Sequence, residues 1–142
     1  MNEMRNVIVV FEKSDPLKAN ELSYFLYLYN MLYCFFKDNS NLNDKNFDFL
    51  FFQEYKNRYR FLYKKEENDL FIEYISKHSP LKIEFKGKGN ALLLALAILC
   101  GSDIKIQKEV ITKEKKTKEI IEIKINKKLS EIIENFYMRG KN

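Results

Sequence analysis

Three short runs hold the residue types from which a binding or reactive site could be built. The first is Gly87-Lys88-Gly89-Asn90, between a strand-like run ending at Lys86 and an apolar helical run beginning at Ala91. The start of a helix offers unpaired amides and the positive end of the helix dipole. Two glycines let a phosphate approach the backbone, and Lys86 and Lys88 add positive charge. The chemistry this spacing suggests is a phosphorylated small ligand held by Lys86, Gly87, Lys88, Gly89 and Asn90. The run lacks the full P-loop spacing and has only part of a dinucleotide fingerprint. A tight strand-to-helix turn is the plainer reading.

The second run, Glu54 to Lys65, interleaves Tyr55, Tyr59 and Tyr63 with Lys56, Arg58, Arg60, Lys64 and Lys65. Single-stranded nucleic acid is held in this way, with cations along its backbone and rings against its bases. An amphipathic element with rings inside and cations in water has the same pattern. The third run is Ser76-Lys77-His78-Ser79. A nucleophile needs a base that a third group orients, and none can be named here, so this reads as a solvated turn. The acids Asp44, Asp48, Glu54, Glu66, Glu67 and Asp69 lack metal-loop spacing. The charged stretch Lys113 to Glu119 suits an exposed hairpin tip. With one His and no CxxC pair, no zinc set is expected, and Cys34 and Cys100 sit in apolar runs as small hydrophobes.

The elements that must position these residues follow from periodicity. Asn6 to Lys13 is strand-like, and Ser14-Asp15-Pro16 suits the start of a helix from about Pro16 to Lys37. That helix repeats Leu22, Phe25, Leu26, Tyr29, Leu32, Tyr33 and Phe36 on one side. Its opposite side, with Tyr24, Tyr27, Leu28, Met31 and Phe35, is apolar as well. A helix apolar all round is buried on several sides, so this second side is a candidate interface with another copy. Asp38 to Lys45 is a polar linker. Asn46 to Asn68 is helical, with Phe47, Phe51, Tyr55, Tyr59 and Leu62 on one face, or else a strand Phe47–Phe52 followed by a helix.

Leu70 to Ser76 and Leu81 to Lys86 read as strands turning at Pro80, and Ala91 to Cys100 as a helix that Gly101 closes in a left-handed conformation. Ile104 to Val110 and Ile121 to Ile125 pair as a hairpin, and Asn126 caps a last helix buried through Leu129, Ile132, Ile133 and Phe136. The fold class expected is α+β, an antiparallel sheet with helices packed on one side, in the order β-α-(α)-β-β-α-β-β-α. The 142 residues make a single domain, with a break between an aromatic-rich, mainly helical lobe (1–68) and a ββαββα lobe (69–142).

Twelve Phe and nine Tyr, with no Trp, concentrate between Phe25 and Tyr74. This is more apolar surface than those elements cover alone. The net charge of +5 is mostly Lys, which favours solubility and only weakly favours polyanions. Val7 to Phe11 is too short for the apolar core of a secretion signal, and Ala91–Cys100 is half of the ~20 residues that span a bilayer. A reducing, cytoplasmic setting is expected.

The run Ile75-Ser-Lys-His-Ser-Pro-Leu-Lys-Ile83, followed by Gly87 to Gly89 and the Ala/Leu-rich helix ending at Gly101, resembles a module of small uncharacterised bacterial and prophage α+β proteins. The resemblance implies such a source and brings no activity and no site residues. The expected function is a non-enzymatic binding or interaction protein that self-associates as a homodimer or higher homo-oligomer, with a phosphorylated small ligand or a protein as further partner. The alternative is a nucleic-acid-binding protein using residues 54–65. An enzyme is less favoured, since nothing nominates a substrate, and no cofactor is implied.

Overall fold

The structure, a computed structural model, describes residues 3–13, 16–38, 47–55, 68–77, 80–101, 104–113 and 116–140, with only the backbone described for 54, 104–113 and 116–119. Strand β1 (Met4–Phe11) is followed by helix α1 (Ala19–Asp38) and a short π-helical segment (Phe49–Tyr55). Strands β2 (Phe71–Ser76) and β3 (Leu81–Lys88) lead into helix α2 (Gly89–Cys100), then β4 (Ile104–Lys113), β5 (Lys116–Ile125) and helix α3 (Leu129–Gly140). The α+β class and the order of elements are as the sequence implies.

The five strands form one sheet in the order β2-β3-β1-β5-β4. Every neighbouring pair is antiparallel except β1 with β5, which run parallel. The sheet is therefore mixed and not purely antiparallel, because the β4–β5 hairpin docks with its second strand inward, against β1. The expected two-lobe break is not how the chain packs. β1, from the first half, is the central strand of a sheet otherwise built from the second, and one core runs from Val7 to Phe136.

Residues facing one another across strands share a face of the sheet. On one face three rows cross the centre: Phe85–Val7–Ile121, Ile83–Val9–Ile123 and Leu81–Phe11–Ile125, all buried. Helices α1 and α2 pack together over this face, and α3 joins them. On the other face the rows are Lys82–Val10–Lys124, Glu84–Ile8–Glu122 and Lys86–Asn6–Ile120. Asn6 donates a hydrogen bond to Glu84 at 2.7 Å, and Lys124 lies 3.9 Å from Glu122. Lysine stems flanking Val10 explain how that residue stays buried with no helix above it.

Helix starts differ from expectation by two or three residues. α1 begins at Ala19, where Leu22 N–H donates to Lys18 O, and Pro16 lies before the helix; Ser14 and Asp15 lie outside the described residues. α3 begins at Leu129, not at Asn126. There the Glu131 carboxylate accepts from Lys128 N–H at 3.4 Å, the returning arm of a capping box. Gly101 ends α2 with φ 75° and ψ −153°, and its N–H donates to Ala97 O. Its positive φ is as expected, while its ψ is extended, not left-handed helical, a combination open only to glycine.

Several of the aromatic residues form one cluster at the end of α1. Phe47, Phe51 and Tyr55 lie one turn apart, and their rings stand 5.5, 5.4 and 5.2 Å from that of Phe35, all near edge-on. The helical reading of this stretch holds over 47–55, while Tyr59, Leu62 and the polar linker residues 39–45 lie outside the described residues. Phe36 stacks on Phe47, and Phe136 of α3 closes the cluster against Phe51 and Phe52.

Burial leaves its mark on titration. It raises the Tyr29 and Tyr33 hydroxyls above their usual 10.0 and pushes the Cys100 thiol from 9.0 up to about 12. These groups keep their protons in the folded chain and lose them in the unfolded one. Their stabilisation is complete below pH 9 and is lost as pH rises. The urea midpoint is expected to hold steady to about pH 9 and then fall, with each group removing up to about 1.4 kcal/mol per pH unit beyond its unfolded value. A flat profile to pH 11 would contradict their burial.

Candidate interaction surface

The Gly87–Asn90 run is not a loop. Gly87 and Lys88 are the last residues of β3, and Gly89 and Asn90 open α2 with no residue between the elements. The chain itself uses two of the amides at this junction. Lys88 N–H donates to the Tyr33 hydroxyl at 2.8 Å, and Gly89 N–H donates to Glu3 O at 3.0 Å. The glycines make room for neighbours, not for a ligand. A Cβ on Gly87 would stand 3.0 Å from the Tyr33 ring, and one on Gly89 would stand 2.8 Å from Arg5 Cδ. Lys86 points to the open face of the sheet, away from this joint. The expected phosphate site of Lys86, Gly87, Lys88, Gly89 and Asn90 is therefore a packed joint.

Tyr33 is the pin of that joint. Besides accepting from Lys88, its hydroxyl donates to Asp69 at 2.8 Å, just before β2. Lys37, one turn along α1, reaches the same carboxylate at 3.4 Å and lies 5.9 Å from the centre of the Tyr33 ring. One side chain thus ties α1 to the β3–α2 corner and to the entry of β2. Tyr29, one turn earlier, donates to Leu92 O of α2 at 3.2 Å, with its ring 4.7 Å from that of Phe85.

Of the nucleic-acid candidates, Lys56, Arg58, Tyr59, Arg60, Tyr63, Lys64 and Lys65 lie outside the described residues, as do His78 and Ser79. Tyr55 is described, and its ring is packed on Phe35 and Phe51, not offered to a base. Asp48 is paired with Arg139, whose Nε donates to it at 2.8 Å. No group of three or more metal-ligating side chains occurs among the described residues, and none of their helices is long and apolar enough to cross a membrane.

The interface candidates on α1 divide. Leu28, Met31 and Phe35 are buried by the chain itself, beneath the π-helical segment and α2, and cannot face a partner. Tyr24 and Tyr27 are 41% and 49% exposed and stack at 6.3 Å. Tyr24 borders an open groove of about 460 Å³ between α1 and α3, with Ile133 and Tyr137 on the far side. Tyrosines of this kind present an apolar body and a wet hydroxyl, which water tolerates. A second cleft, of about 290 Å³, opens where β1 ends and β3 begins, with Lys13, Lys77 and Lys128 around Phe11 and Leu81 and with Glu21 on the rim. This lysine-rimmed cleft is at the opposite end of β3 from Gly87.

A further exposed apolar surface, outside the expected interface residues, is β2. It is an edge strand, and Phe71, Ile72, Tyr74 and Ile75 are 51%, 46%, 55% and 38% exposed. Phe71 and Tyr74 stand beside Lys86 and Glu84 on the open face. Ile72 and Ile75 stand beside Phe85 and Ile83 on the helix face, beyond the reach of α1 and α2. A bulge at Glu73 separates the two pairs. The signal was present in Leu70–Ser76, where apolar residues occupy both alternating sets, as in a strand covered on both faces. Comparison with family models, curated proteins and solved structures found no match to this chain.

Replacing Tyr33 by Phe removes the acceptor of Lys88 N–H and the donor to Asp69. The expected loss is about 1–3 kcal/mol in urea unfolding. Gly87→Ala, which crowds the same ring, is expected to destabilise to a similar degree. The two losses combined should be less than additive, because both act on one contact. Full additivity would place Tyr33 outside the joint.

Proposed function

We propose that this chain is a non-enzymatic interaction protein that self-associates, and that the edge strand β2 is the surface through which a second copy binds. The single observation that supports the reading is a strand apolar on both faces, about half exposed on each, with no element pairing along its outer side among the described residues. Edge strands usually carry devices that prevent pairing, such as charges, proline or shortness. β2 has two such devices at one position, a bulge and a single charge at Glu73, set among the apolar Phe71, Ile72, Tyr74 and Ile75. Adding a strand at such an edge supplies backbone hydrogen bonds for affinity and side-chain contacts on both faces for specificity. A second copy fits best because a two-fold dimer needs only one self-complementary patch.

Sedimentation across about 1–100 µM is expected to show a reversible monomer–dimer equilibrium. Ile75→Lys, a change at a partly exposed position, should shift the equilibrium to monomer while leaving the unfolding midpoint within about 0.5 kcal/mol of the parent. A parent that is monomeric throughout this range would overturn the reading.

A further inference from the structure

Resting on the self-association reading, we infer that two copies pair through β2 antiparallel in a single register, with Ile72 opposite Ile75 of the second copy and Phe71 opposite Ser76. The bulge decides this. Along β2 the side chains point to the open face at Phe71, to the helix face at Ile72, then to the open face at Tyr74, to the helix face at Ile75 and to the open face at Ser76, with Glu73 as the extra residue. In a regular strand of six residues, reversing the chain end for end exchanges the faces, so a full-length self-pair would set each side chain against one on the wrong side. The extra residue restores the match. With the dyad between Glu73 and Tyr74, Ile72 meets Ile75 on the helix face and Phe71 meets Ser76 on the open face.

Sliding the pair by one residue in either direction breaks the match. One slip sets Phe71 of the open face against Ile75 of the helix face. The other sets Ile72 of the helix face against Ser76 of the open face. A slip of two toward the start of the strand restores Phe71 against Tyr74 but leaves only four residues paired. Full overlap and matched faces therefore coincide in one register. The same pairing joins two five-stranded sheets edge to edge into one continuous sheet across the dyad. The outer helix-face positions Ile72 and Ile75, which α1 and α2 do not reach, are then covered by their counterparts.

The area sets the strength. An aromatic side chain offers about 150–250 Å². Phe71 and Tyr74 at half exposure, with the two isoleucines, therefore supply on the order of 350 Å² per copy. Two copies fall short of the ~1,200 Å² of a standard stable interface. The edge hydrogen bonds add to this, and so small a contact fits a reversible dimer, formed and released with concentration.

The register is tested by oxidative cross-linking of two singly substituted proteins. Opposed residues in an antiparallel pair have Cα atoms about 4.5–5.5 Å apart, inside the range a disulfide spans. A mixture of Phe71→Cys with Ser76→Cys should give a covalent heterodimer. Either protein alone should not, because its two cysteines would lie five residues apart along the ladder, roughly 16 Å. Ile72→Cys mixed with Ile75→Cys provides a second pair on the other face, should either substitution in the first pair fail to fold. Cross-linking in both mixtures and in neither single protein is the expected result. A dimer in sedimentation with no cross-link in the mixtures, or with equal cross-linking in the single proteins, would overturn the register and leave self-association standing. A monomer in sedimentation would overturn both.

Discussion

The contact on which this architecture turns is the Tyr33 hydroxyl. It accepts the Lys88 amide and donates to Asp69, with its ring laid over the bare backbone of Gly87. A helix that begins directly where a strand ends has no loop in which to absorb a misfit. Its first amides must be satisfied by whatever lies alongside. Here these are a tyrosine from α1 and the carbonyl of Glu3. The corner between β3 and α2 is fixed in this way, and so is the height of both helices over the sheet. Tyr29, one turn away, repeats the arrangement with Leu92 of α2. Burial raises the pKa of both hydroxyls, and each spends its hydrogen bonds on joining elements.

Around that corner the chain divides its apolar surface unevenly. The helix face of the sheet is filled by three rows of aliphatic and aromatic side chains, and the far end of α1 is enclosed by the rings of the π-helical segment. On the open face, lysine and glutamate rows flank the apolar residues of β1 and β5. Exposed apolar side chains remain on the helical layer, at Tyr24, Phe49, Leu94 and Met138, and along the margin of the sheet. α1 and α2 lie over β1 and β3, and β2 extends past them, so its isoleucines face the right side of the sheet but reach no helix.

This separates what could be read along the chain from what could not. The strands β1 and β3 and the helix Ala91–Cys100 were legible because their apolar periods match their environments, and the placement of Phe47, Phe51 and Tyr55 on one face was legible from their spacing. Three features depended on partners distant in sequence. The parallel pairing of β1 with β5 reflects a choice between two hairpin strands that look alike locally. The glycines at 87 and 89 have the same composition in a phosphate cradle and in a packed joint, and only neighbours distant in sequence, Tyr33 at Gly87 and Glu3 and Arg5 at Gly89, distinguish the two. The apolar second side of α1 led to the expectation of a partner there, but Leu28, Met31 and Phe35 are buried within their own chain, and only Tyr24 and Tyr27 stay about half exposed.

Self-association through that edge is most directly tested by amide hydrogen exchange followed residue by residue at two protein concentrations well apart. Amides of Phe71–Ser76 that exchange freely in dilute protein should become protected in concentrated protein, while those around Tyr24 and Tyr27 on α1 keep one rate at both. Exchange in β2 that is the same at both concentrations, or protection that rises on α1 instead, would contradict pairing at this edge.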